Sequence, residues 1–169
     1  MITFPADALP IALTDPDSAA ARIASIIVGF KPDAYRADAE TQARQIVDEA
    51  TRADAFLLAI TAPPGADPAV LTGMSVTAPP TWTPQVADRL RWSLADVAGD
   101  TATVHTAVGP AVLVERTPPA WPRQLLAFLP DDDTSMLLLT LSTISARGWP
   151  AQRELFVHLA ASATHEKPN

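Results

Sequence analysis

A chain of 169 residues, 48% hydrophobic and 18% charged, is long enough to bury a core and too apolar to stay unfolded. It contains no cysteine, which excludes disulfides, thiolate metal sites and thiol nucleophiles. The formal charge of −7, with basic residues scattered along the chain, disfavours nucleic acid and anionic membrane surfaces as partners.

The opening stretch MITFPADALPIALTDPD has no basic leader, two early prolines, and acids where an apolar core would continue. No secretory signal is expected. The apolar runs fall short of the ~20 residues of a membrane helix, so a cytoplasmic location is expected unless a leader was removed. Arginine outnumbers lysine ten to two and alanine is abundant, an actinobacterial-like composition that points to a GC-rich bacterial genome.

A first helix is expected to start at Asp15, an N-cap, with Pro16 in its first position and Asp17 against its positive end. Ala19, Ile23, Ile26, Ile27 and Phe30 recur at helical spacing, with Gly29 as the expected stop. A second helix is expected over 33–52, with an apolar stripe of Tyr35, Ala39, Ala43, Ile46, Val47 and Ala50. Two short strands follow, 55–62 and 70–78, separated by the turn cluster PPGADP, and Gly73 is expected to mark a bulge in the second. Residues 81–99 predict a third helix, capped by Thr83, begun by Pro84 and ended by Gly99. Four strands, TATVHTAV, AVLVERT, QLLAFLP and SMLLLTLST, precede a last helix beginning at Pro150.

Short connections between strands give antiparallel pairing. The fold class is therefore α+β: a largely antiparallel sheet of about six strands with packed helices, preceded by two N-terminal helices. No repeat or low-complexity linker divides the chain. A single domain over 1–169 is expected, helical over 1–53 and sheet-and-helix over 54–163.

The segments TATVHTAVGPAVLVERT, LLAFLPDDDTSMLLLTLST and WPAQRELFVHLAASA together resemble the strand–strand–strand–strand–helix block of small PsbP-like proteins. That superfamily also includes the Ran-binding Mog proteins and actinobacterial LpqN-type lipoproteins. The resemblance covers roughly residues 101–163. It implies the fold and a general binding or accessory role, and it carries no site, because the superfamily shares no catalytic motif.

Asp131, Asp132 and Asp133 lie between two strands whose faces both read as apolar. Consecutive side chains of an extended chain point alternate ways, and no spaced acidic loop is present, so the triplet reads as a hairpin turn. Glu154 and His158 stand four apart on the last helix, with His165 on the same face if the helix continues. A zinc site needs three or four ligands, and a surface pair is the commoner meaning of this spacing. No Gly-x-Ser-x-Gly elbow, Ser-x-x-Lys motif, glycine-rich dinucleotide fingerprint or phosphate-binding loop occurs. No catalytic residue, metal ligand or cofactor is nominated.

Three of four tryptophans sit beside prolines in expected loops: Trp82 in PPTWTP, Trp121 in PPAWPR and Trp149 in RGWPA. Gathered at one end of the sheet, with Arg123, they would form a recognition surface for a protein partner, since rigid loops and tryptophan suit interfaces. The competing expectation is that they close the core over helix starts. The leading functional expectation is a non-catalytic binding or accessory protein acting by protein–protein interaction, of the kind of a secretion-associated chaperone or an immunity-type inhibitor. The second is a carrier of a small apolar ligand, held between the sheet and the alanine-rich N-terminal helices. The third is an enzyme assembled from scattered residues, with His105, Glu115 and Arg116 first among them. Homo-oligomerisation through an edge strand stays open.

Overall fold

The computed structural model describes residues 7–30, 36–77, 81–118, 123–131 and 135–162. Among the described residues, seven strands and four helices follow one another as β1 (Ala8–Pro10), α1 (Pro16–Phe30), α2 (Arg36–Arg52), β2 (Leu57–Thr61), β3 (Ala69–Thr77), α3 (Pro84–Ala98), β4 (Asp100–Thr106), β5 (Gly109–Arg116), β6 (Arg123–Pro130), β7 (Ser135–Thr143) and α4 (Trp149–Ser162). All strand pairs are antiparallel, in the order β1-β2-β3-β7-β6-β5-β4.

The chain is α+β with an antiparallel sheet, as its alternation of strands and turns implied, but the sheet has seven strands. The additional one is β1, which pairs Ala8 with Thr61 and Pro10 with Ala59 along β2. It precedes α1, so the two helices do not come before the first strand. Its Pro10 lies on a sheet edge, where the missing N–H interrupts no ladder.

Local chemistry explains the helix starts. The Asp15 carboxylate accepts from the backbone N–H of Ser18, and the Thr83 hydroxyl accepts from that of Val86, each with proline next in sequence. Gly29 does not stop α1, which continues through Phe30. Ala39, Ala43, Val47 and Ala50 form the buried stripe of α2; Tyr35, included in the expected stripe, lies outside the described residues. Gly73 marks no bulge, since the β7 register runs through it without interruption and the β2 register ends on it in step. A Cβ there would stand 3.1 Å from Leu57 Cβ and 3.2 Å from Leu139 Cδ2, so the glycine lets the two leucines close over the strand.

The two sides of the sheet are covered differently. On the first face, α4 lays Trp149, Phe156, Leu159 and Ala160 over Leu57, Leu71, Leu125, Ala127, Leu129, Leu139 and Leu141. Each large apolar side chain buried this way contributes about 1.5–3 kcal/mol. The second face has two separate caps. Helices α1 and α2 cover Leu58, Ile60 and Val70 at one side. Helix α3 covers Val112, Val114 and Leu126 at the other, with Phe128 and Leu138 packed alongside.

The expectation that the strands around the aspartate triplet are buried on both faces therefore needs correction for β7. Leu139, Leu141 and Thr143 are buried, whereas Met136, Leu138, Thr140 and Ser142, which alternate with them, are only half-buried. The hairpin itself joins Pro130 to Met136, with Asp131 N–H donating to Ser135 O and the Ser135 hydroxyl donating to Asp131. Asp132 and Asp133 lie outside the described residues. Among the described residues, no helix is long and apolar enough to cross a membrane.

Candidate functional site

Of the residues proposed for a recognition surface, Trp82 and Trp149 are not brought together. Trp82 stands on the second face, half-buried against the α3 cluster, and its indole N–H donates to Pro110 O at 2.7 Å. Trp149 is on the first face and only 7% exposed, with its indole N–H donating to Glu115 Oε1 at 2.7 Å. The two rings are thus separated by the sheet and tied to opposite ends of β5, five residues or roughly 16 Å apart. Trp149 closes the core over the start of α4 and offers no face to a partner. Arg123 is half-buried at the start of β6, opposite Thr143. Trp121 lies outside the described residues. Among the described residues, the exposed tryptophan is one that proline context did not mark: Trp92, on α3, 65% exposed and with the Arg91 guanidinium 4.6 Å from its ring centroid.

The three residues considered for an assembled catalytic site are also divided. His105 pairs with Pro110 and Glu115 with Asp100, so they sit at opposite ends of the β4–β5 pair. Alternation places Glu115 on the first face, and His105 and Arg116 on the second. Glu115 is occupied structurally: one oxygen accepts from Trp149 and the other from Arg153 Nε at 3.0 Å. Glu115→Ala removes the acceptor of a buried indole N–H and is expected to cost about 1–3 kcal/mol. Glu115→Gln keeps that acceptor and loses only an ion pair with the exposed Arg153, worth about 0–1 kcal/mol. Urea denaturation of both variants checks this order, and an equal loss would refute it. Glu154 and His158 are exposed on α4, and His165 lies outside the described residues. Among the described residues, no group of three or more histidine, aspartate or glutamate side chains is placed to hold a metal ion.

What the fold does assemble is a cleft of about 430 Å³ on the second face, between α1–α2 and the middle of the sheet. Its apolar wall comes from Ile23, Ile26, Ile27 and Phe30 of α1, from Ile46 and Ala50 of α2, and from Ala53 just after it. The α1 stripe is longer than the surface it covers: Ile23 is fully buried, Ile26 and Ile27 are half-buried, and Phe30 is 48% exposed. Ile144, 81% exposed, stands at the mouth.

The floor is different in kind. It consists of Val70, Thr72 and Met74 of β3, Thr140 and Ser142 of β7, and Gln124 of β6. Register sets these side chains in rows, Thr72 opposite Thr140, and Ser142 between Val70 and Gln124. Along this face β7 changes from Leu138, packed under α3, to Thr140 and Ser142 in the cleft. Among the described residues, no hydrogen bond reaches the side chains of Thr72, Thr140, Ser142 or Gln124.

Two acidic residues flank this space. Glu49 is exposed on α2 and accepts from Gln45. Asp67 accepts from the Ser145 hydroxyl at 2.7 Å and stands 3.8 Å from the Arg147 guanidinium. The cleft can enclose a molecule and offer it hydrogen bonds at one side. Compared with protein-family models, curated proteins and solved structures, the chain matches none.

Proposed function

We propose that the chain is a non-catalytic binding protein that carries a small, largely apolar molecule in the cleft between α1–α2 and the sheet. The observation that supports this most is the apolar stripe of α1, which lines the cleft with Ile26 and Ile27, half-buried at the edge of the core, and with Phe30 beyond it. A space of about 430 Å³ falls within the ~300–1,000 Å³ of ligand sites, whose linings are mostly apolar with a few polar groups. Kinship with PsbP-like proteins belongs to the same proposal, supported by the order β4-β5-β6-β7-α4 in the second half of the chain.

Nile red, an uncharged dye that brightens in apolar surroundings, is the first test. The parent protein should enhance its emission saturably, and Ser142→Phe, which places a ring on the floor of the cleft, should weaken binding at least about tenfold, or 1.4 kcal/mol. Far-ultraviolet circular dichroism checks that the variant remains folded. No saturable binding by the parent protein, or equal binding by the folded variant, defeats the reading. Native mass spectrometry after gentle purification should in addition show a retained small mass.

A protein partner is the second reading, and the observation favouring it is the exposed Trp92 on α3, with the half-buried Arg91 guanidinium against its ring. Tryptophan and arginine are the residues most enriched at interface hot spots. A clean unliganded mass, with another protein co-purifying, would favour that reading over the carrier.

A further inference from the structure

This inference rests on the carrier reading and concerns what the cleft selects. We infer that its ligand is an uncharged amphiphile, with an aliphatic body against α1 and α2 and a hydroxyl, ester or amide group on the Thr72–Thr140–Ser142–Gln124 floor. The floor supplies three hydroxyls, each able to donate and accept, and one carboxamide, which does both. A purely apolar ligand would cover these groups and remove them from water without replacing their hydrogen bonds, at a cost of about 1–3 kcal/mol for each group fully buried. A ligand with one or two polar atoms at that end avoids much of this cost.

Charge decides between head groups. Among the described residues lining the cleft, the charged ones are Glu49 and Asp67, both acidic. A carboxylate or phosphate head would meet no cation on the floor, would lose hydration on entering, and would be repelled by Glu49. A cationic head has no carboxylate on the floor to pair with: Glu49 is exposed on α2, and Asp67 is engaged by Ser145 and Arg147. An uncharged head that can donate and accept fits the floor without either penalty.

The test is competition against Nile red with three probes of equal chain length: 1-decanol, decanoate and decyltrimethylammonium, at pH 7.5 and below their aggregation limits. The expected order has 1-decanol displacing the dye at least tenfold more effectively than either charged probe. Thr140→Val with Ser142→Ala should reduce that preference to about threefold or less, with each probe's displacement referred to the variant's own Nile red affinity. Displacement by decanoate or decyltrimethylammonium as good as by 1-decanol overturns the inference and leaves the carrier reading standing. A preference unchanged in the double variant overturns the role of the floor. Failure of the parent protein to bind Nile red and all three probes overturns both readings.

Discussion

Gly148→Ala is expected to destabilise the fold by about 3–5 kcal/mol, a large share of a total stability that lies near 5–15 kcal/mol for a domain. Two effects add. Gly148 has φ = +72°, in the left-handed region, where an L side chain costs roughly 1–2 kcal/mol. The Cβ would also overlap Ala66, its backbone Cα as well as its own Cβ. Backbone cannot swing aside as a side-chain tip can. Residues 66–67 would have to retreat, loosening the bond from Asp67 N–H to Arg147 O and the one from the Gln152 amide to Asp67 O.

Gly65 supplies the control. Its φ is +79°, yet a Cβ there meets nothing within 4 Å, so Gly65→Ala should cost only the conformational part, roughly 1–2 kcal/mol. Adding Ala66→Gly to Gly148→Ala removes one of the overlapping atoms but leaves the Cα of residue 66, so rescue should be partial. Thermal unfolding should place Gly148→Ala about 6–20 °C below the parent. A difference of less than 2 °C between Gly148→Ala and Gly65→Ala would show that the close approach to Ala66 carries no energetic weight.

The parts of this architecture legible in the sequence are those set by neighbouring residues. Asp15–Pro16 and Thr83–Pro84 marked helix starts because a cap and a proline act within one turn. The four strands of the second half were visible because each is long enough to show an apolar run between turn residues. Strand β1 was not visible. Its three residues have no periodicity of their own, and they are extended because β2 supplies their partners some fifty positions away.

The cleft is an intermediate case. The change from Leu138 to Thr140 and Ser142 is in the sequence, but the leucines on the other face of β7 dominate the pattern and make both faces look apolar. Whether the second face of β7 is covered depends on where α1–α2 and α3 land, and they cover the two sides of the sheet and leave its middle open. Trp149 was ambiguous for the same reason. Its partner Glu115 lies 34 residues away on the strand that α4 crosses, and no local rule connects them.

Gln152→Leu is expected to cost about 2–4 kcal/mol, lowering the melting temperature by about 4–16 °C. Gln152 is 1% exposed in the first turns of α4 and joins three pieces of chain. Its carbonyl oxygen accepts from the Thr61 hydroxyl at 2.7 Å, and its amide donates to Thr61 O at 3.1 Å and to Asp67 O at 2.8 Å. Leucine fills similar space but leaves these oxygens without that donor, and burial is what makes an unmade hydrogen bond costly.

Gln152→Glu separates hydrogen bonding from shape. A neutral carboxyl can still accept from Thr61 and donate to one of the two carbonyls. Once ionised it can donate to neither, and it faces both in a buried site. Burial therefore raises the folded-state pKa of the introduced group above its ordinary value of about 4.3. Between the unfolded and folded values the native state holds the extra proton, so stability falls as pH rises through that window. Urea denaturation, with each variant compared with the parent at the same pH, should show Gln152→Glu at least about 2 kcal/mol worse at pH 7.5 than at pH 4.5. Gln152→Leu has no proton to lose, so its deficit should be the same at both. Equal deficits for Gln152→Glu at the two pH values would mean that the carboxyl has escaped to solvent, and that the three-way contact among α4, Thr61 and Asp67 is looser than its hydrogen bonds imply.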